Sequence, residues 1–159
     1  MNLFWFDENP VLNARYHCDK HAVKMPLEVA QMLSSAHHVN NSKYVDSVYR
    51  KTHVNHPCTL WISQSADAYY QALVMFDSLL DEYKHRYHRN HKSGELFDIF
   101  VNNPSPRVTS GPIPLAMPDE YKRECHVESY RLYFVGEKQR MAKWTNRPVP
   151  EWYTKLTER

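Results

Sequence analysis

Seven polar side chains draw one line through an otherwise apolar stretch of the chain. His17, His21, Lys24, Glu28, Gln31, Ser35 and His38 are separated by four, three, four, three, four and three residues. At 3.6 residues per turn these positions stack along one face of a helix. Ala22, Val23, Met25, Leu27, Val29, Ala30, Met32 and Leu33 take the other faces. An ordinary surface helix has the opposite proportions, a limited apolar stripe and a broad polar face. The pattern fits a buried helix with one side open to a cleft. Glu28 lies near its middle, and a carboxylate on a mostly apolar helix is costly unless it is paired or functional. Two readings follow from the residues alone. Glu28 is either half of a buried salt bridge, with Lys24 or another base, or a catalytic carboxylate in a cleft lined by His21, Lys24 and Gln31.

Other constellations are weaker. Glu82-x-x-His85 has the spacing found in di-iron carboxylate bundles, which need several inward carboxylates from different helices. Here Glu82 falls at the edge of a core seam. His85 belongs to the basic run Lys84-His85-Arg86-Tyr87-His88-Arg89, which reads as a solvated helix end. A His/carboxylate metalloenzyme therefore stays an alternative without a defined ligand set, and no metal is assigned. His53 and His56 read as loop hydrogen-bonders. No Gly-x-Ser-x-Gly or Cys-Gly-Ser-Cys pattern marks a nucleophilic hydrolase. Cys18 adjoins His17, but adjacent helical residues do not face each other, so Cys18 reads as a buried cysteine.

The elements that position these groups are expected to be helical. The 159 residues include only three glycines against ten prolines, which disfavours Gly-rich phosphate loops and tight hairpins. An apolar content of 42% with 24% charged residues is that of a globular domain. Three widely spaced cysteines, Cys18, Cys58 and Cys125, suit neither a disulfide framework nor a zinc site. The N-terminus lacks the basic region of a signal peptide, and no apolar run approaches the roughly 18 residues of a membrane span. The expected setting is the reducing cytoplasm, that of an infected host cell if the chain is phage-encoded.

A short extended piece, Leu3 to Phe6, ends in the turn residues Asp7, Glu8, Asn9 and Pro10. The first long helix is predicted over 12–39, kinked or broken at Pro26. The second carries a seam of Ile62, Ala66, Tyr69, Leu73, Phe76, Leu80, Tyr83 and Tyr87 at alternating four and three spacing, which reads as packing. A short helix follows near 95–101. Pro104, Pro106, Pro112, Pro114 and Pro118 then enforce an extended loop of a length that is usually functional or disordered. The last helix is predicted over 126–145, with Val127, Tyr130, Phe134, Met141 and Trp144 inward. The expected architecture is all-α, one domain over 1–159 with three main helices, a short helix, the Pro-rich loop and the extended N-terminal segment. The net charge of +2 decides nothing by itself, although 138–159 holds six Lys or Arg against two Glu.

Four collinear patches carry a family resemblance. Asp19-Lys20-His21 precedes Glu28 by seven residues, and His56-Pro57 leads into the helix that ends in Lys84-His85-Arg86-Tyr87. Met117-Pro118-Asp119-Glu120-Tyr121 is followed by Glu128-Ser129, and Lys143-Trp144-Thr145-Asn146-Arg147-Pro148 by Trp152-Tyr153. Together they resemble the bacteriophage endonuclease V family, the pyrimidine-dimer DNA glycosylase/AP-lyases of DNA repair, and their bacterial relatives. The chain also looks like a widespread group of phage proteins with the same Cys-Asp-Lys-His, Asn-His-Pro and Lys-Trp-Thr-Asn-Arg signatures.

The resemblance implies a helical hydrolase-type enzyme, a DNA N-glycosylase in which the protein's own α-amine attacks C1′ and forms a Schiff base. A fixed carboxylate stabilises the cationic sugar and assists strand cleavage. Carried over residue by residue, Glu28 is that carboxylate, the α-amine of Met1 the nucleophile, and His21 a group that positions the sugar. Lys24, Gln31, Lys143 and Arg147 would face phosphates or bases, and Trp152 and Tyr153 would pack near a bound strand. The implied partner is damaged or modified DNA, or a nucleotide, bound by a monomer that uses no cofactor and no membrane. The pattern departs from the family at Leu3, Leu27 and Gln31, where arginines are expected, and at Asn2, whose size disfavours removal of Met1. Strandedness and the base recognised stay open. So does the alternative of a non-catalytic accessory protein that binds nucleic acid or protein.

Overall fold

The structure is a computed structural model, and it describes residues 1–106 and 108–158. Its regular elements among these residues are helical, so the chain is all-α, and three expected main helices resolve into more pieces. Helix α1 (Pro10–Tyr16) starts at Asn9, whose side chain accepts from the amides of Val11 and Leu12, and Pro10 opens its first turn. His17 and Cys18 are extended, and α2 runs from Asp19 to Val39. The break falls there and not at Pro26, which is buried inside α2. Distant groups take the carbonyls that end α1. Arg86 donates to Arg15 O at 3.0 Å, and the Trp144 indole donates to Tyr16 O at 2.9 Å.

The second predicted helix is also two. Helix α3 (Pro57–Gln64) is capped by His56, and α4 (Ala66–Tyr87) by Ser65, whose hydroxyl accepts from the amide of Ala68. Tyr69, Phe76 and Tyr83 of the predicted seam are buried, joined by Ala72, Met75 and Leu79, while Leu73, Leu80 and Tyr87 are half-buried. The helix stops where His88 takes a left-handed conformation, φ 56°. Helix α5 (Phe97–Phe100) follows a 3-10 turn, and the Pro-rich segment to Pro118 carries no helix among its described residues. Helix α6 (His126–Glu137) is shorter than predicted and is followed by a 3-10 turn at Gln139–Met141. Met141 and Trp144 therefore lie beyond it. The tail forms a further helix, α7 (Glu151–Thr157).

Helix α2 packs on α3 and α4, α1 on α4, and α6 on α7. The N-terminal segment runs through the shared core, with Leu3, Phe4, Trp5 and Phe6 all buried. Asn13 holds it there by accepting from the Phe6 amide at 2.7 Å and donating to Phe4 O at 3.1 Å. Trp152 stacks on Phe6 with ring centroids 5.3 Å apart. No helix is long and apolar enough to cross a membrane among the described residues.

A charge network ties the C-terminal segment to this core. Glu82 is buried and accepts from Arg86 Nε at 2.8 Å and from Arg147 Nη2 at 2.9 Å. Arg86 also donates to Asp19 at 3.1 Å, and Asp19 accepts from the Thr145 amide and hydroxyl at 2.8 and 2.6 Å. Burial alone would raise both carboxyl pKa values. The hydrogen bonds and charges of Arg147 and Arg86 outweigh it at Glu82, those of Thr145 and Arg86 at Asp19, and both pKa values lie below the ordinary ones. Depressed carboxylates contribute stability above their unfolded pKa of about 4 and lose it as pH falls through the folded values. Glu82→Gln leaves two guanidinium groups without their shared charge partner. We expect a loss of about 3–5 kcal/mol in urea unfolding at neutral pH, with weaker acid sensitivity than wild type. A loss below about 1 kcal/mol would give the network only the weight of a surface pair.

Candidate active site

The position of the chain's first nitrogen is set by Asn2. Its buried carboxamide donates to Ala116 O at 2.9 Å and accepts from the Leu3 amide at 2.8 Å. The Cys58 thiol donates to the same oxygen at 3.6 Å, and Tyr130, whose hydroxyl donates to Pro114 O at 2.6 Å, closes over it. Burial pushes the Cys58 thiol up to about 11, so it stays protonated and serves as a donor rather than a nucleophile. Asn2 thus joins the N-terminal segment to α3, α6 and the Pro-rich loop.

This places the α-nitrogen of Met1 3.6 Å from Oε1 of Glu28. Glu28 accepts no hydrogen bond from the protein among the described residues, and its Oε2 is buried without a partner. The contrast with Glu82 is sharp, because that carboxylate is saturated by two arginines. Glu28 as a whole is half-buried, and a buried carboxylate oxygen with unmet capacity costs free energy that packing does not return. The partner of Glu28 is the chain's own amine, not Lys24.

Two turns earlier on α2, the His21 ring is buried and stacked on Phe4, with centroids 4.3 Å apart and planes at 24°. Burial lowers its pKa to about 3, helped by the nearby charges of His17, Lys138, Lys24 and the amino terminus. His21 is therefore neutral at physiological pH, one donor and one acceptor, and its Nδ1 has no partner among the described residues. A cleft of about 360 Å³ opens over Met1, His21 and Glu28. Four cationic side chains stand around it, Lys20 and Lys24 from α2 and Lys138 and Arg140 from the segment after α6. Tyr133 of α6 supplies an aromatic wall.

The polar stripe thus divides. Its stretch from His21 to Glu28 faces the cleft. His17 is buried beneath, donating from Nδ1 to Asn13 O at 2.7 Å. Ser35 exchanges hydrogen bonds with the Thr52 backbone, and His38 contacts Tyr49 O at 3.0 Å. Gln31 is half-buried and outside the cleft lining. Of the groups expected to meet a strand, Lys143 is exposed away from the cleft, and Arg147 is engaged by Glu82. Trp152 is buried with the Arg131 guanidinium 5.3 Å from its ring centroid, and Tyr153 packs on Trp144 at 5.2 Å. Lys20, Lys138, Arg140 and Tyr133 were not singled out from sequence. Lys20 had a local signal, its i, i+4 spacing to Lys24. The other three reach the cleft through tertiary packing alone.

Among the described residues no group of three or more His, Cys, Asp and Glu side chains converges as a metal site would require. Comparison with protein-family models, curated proteins and solved structures finds no match to this chain. The His21 environment is checked by resolving the imidazole signals of the protein by NMR. The ring is expected to show no titration between about pH 5 and 8, the range in which an unperturbed histidine changes charge. A midpoint inside that range would contradict the buried, neutral assignment.

Proposed function

We propose that the chain is a DNA glycosylase-like enzyme that cleaves an N-glycosidic bond in damaged or modified DNA or in a nucleotide. Glu28 is its essential carboxylate, and the α-amine of Met1 is its nucleophile in a Schiff-base lyase step. The observation that carries this reading is the amine held 3.6 Å from a carboxylate with an unpartnered oxygen on the floor of a cleft. The endonuclease V-like motifs supply the reaction class. An amine is a nucleophile of the kind that forms a Schiff base with a sugar carbonyl carbon.

In this mechanism the amine lone pair forms a bond to C1′ as the bond from C1′ to the base nitrogen breaks. The base leaves with that electron pair and takes a proton from solvent. Glu28 stabilises the positive charge that develops on the sugar and accepts the proton released by the attacking amine. Opening of the sugar ring then gives an imine between Met1 and C1′. Loss of a C2′ proton expels the 3′ phosphate and cuts the strand, and water hydrolyses the imine to return the amine. In a free nucleotide the sequence ends at imine hydrolysis, with water consumed and base and sugar phosphate released. His21, neutral and next to the reacting pair, hydrogen-bonds a sugar hydroxyl. The lysines and Arg140 hold phosphate oxygens, which makes binding salt-sensitive.

The test is Glu28→Gln, which removes the charge and keeps the shape. Base release, followed by chromatography on oligonucleotides with damaged or modified bases and on free nucleotides, is expected to fall by about 100-fold or more. The circular dichroism spectrum and Tm should hold. A variant that unfolds, together with a wild type that releases no base, would make Glu28 a structural ion-pair residue and overturn the reading.

A further inference from the structure

The distribution of charge narrows the ligand. The whole chain carries +2, from 20 Lys and Arg against 18 Asp and Glu. Lys20, Lys24, Lys138 and Arg140 against Glu28 place +3 at the cleft, so the remainder carries −1. The net positive excess of this protein is therefore matched by the side chains around one concavity of about 360 Å³. Clefts lined by one sign of charge focus the potential on a compact counter-charge.

Five arginines outside the cleft are engaged within the chain, while Arg15 and Arg50 are exposed. Arg86 and Arg147 serve the Glu82 network. Arg131 donates to Phe6 O at 2.8 Å, Arg89 to the Tyr83 hydroxyl at 3.0 Å, and Arg123 to the carbonyls of Glu120 and Lys122. Within the cleft, Arg140 donates one N–H to Glu137 O at 3.0 Å, leaving its other donors for a ligand. Among the described residues from 138 on, Lys138 and Arg140 line the cleft, Arg147 pairs with Glu82, Lys155 pairs with Glu151 at the surface, and Lys143 is exposed. Duplex DNA presents a charge about every 1.7 Å, and its binders commonly neutralise about 6–10 phosphates along it. A single site of about 300–1,000 Å³ is the scale of a small molecule.

We infer that the ligand of this cleft is a free nucleoside 5′-phosphate, with the sugar at Met1 and Glu28 and the phosphates on Lys20, Lys24, Lys138 and Arg140. This rests on the glycosidic reading of the site and selects its substrate. Tyr133 offers the base an aromatic wall.

The test is calorimetric titration of the full chain carrying Glu28→Gln, at about 0.15 M salt. The probes are deoxynucleosides, their 5′-mono- and triphosphates, and single-stranded and duplex oligonucleotides of the same bases. The nucleotides should bind at least tenfold more tightly than the nucleosides, and at least as tightly as either oligonucleotide. Lys24→Ala and Lys138→Ala, with unchanged circular dichroism, should each weaken nucleotide binding by about tenfold, or 1.4 kcal/mol. Equal binding of nucleoside and nucleotide overturns the inference, and so does tighter binding of either oligonucleotide. The two readings fail separately. Nucleotide binding without base release by wild type leaves this assignment and removes the glycosidic one, whereas base release from DNA with no nucleotide binding does the reverse.

Discussion

The buried carboxamide of Asn2 stands where four parts of the chain meet, and the geometry of the cleft depends on it. Chain termini are ordinarily poorly ordered because little holds them. Here a donor bond to Ala116 O and acceptor bonds from the Leu3 amide and the Cys58 thiol satisfy a group that would be costly to bury unpaired. Beyond it, Leu3 to Phe6 bury their side chains in the shared core, and Asn13 holds their backbone. One residue before Asn2, the α-nitrogen has little freedom left. It is presented to Glu28 by the fold, so the ordering of this nitrogen is complete before any ligand arrives.

Two glutamates show how the same side chain serves opposite ends. Glu82 lies in a nest of guanidinium donors and ties the 143–147 segment to α4, while Asp19 ties it to the start of α2. Breaking such a buried network is strongly destabilising, although its net contribution against an apolar replacement is small. Glu28 sits half-buried in the cleft with one amine near it and one oxygen unmatched. Asp19 and Arg147 are therefore structural clamps, and His21 and Glu28 are the residues that reach open space. His21 and His17, both held neutral chiefly by burial, keep further positive charge away from the amine.

Much of this was legible in the sequence. The helical face carrying His21, Lys24 and Glu28 follows from spacing, because a helix face is a local property. The Pro-rich loop and the burial of Tyr69, Phe76 and Tyr83 were readable for the same reason. The breaks were not. The carbonyls at the end of α1 are capped by Arg86 and Trp144, more than 70 positions away in sequence. Ser65 ends one helix and caps the next, a local signal hidden inside a continuous apolar period. Trp152 and Tyr153 were expected near a bound strand, and nothing local announces that Phe6 and Trp144 lie against them. Lys138 and Arg140 escaped notice because their place at the cleft depends on how α6 docks.

The most direct measurement is chemical trapping of the amine. The protein is incubated with deoxyribose 5-phosphate and, separately, with an abasic oligonucleotide in the presence of borohydride, and the reduced adduct is located by peptide mass spectrometry. The account predicts a secondary amine on the α-nitrogen of Met1, with at least one of the two sugars, in a chain whose N-terminus is otherwise free. An adduct on Lys24 or another lysine, or no adduct with either sugar, would contradict the claim that the fold positions the N-terminal amine beside Glu28 to do chemistry.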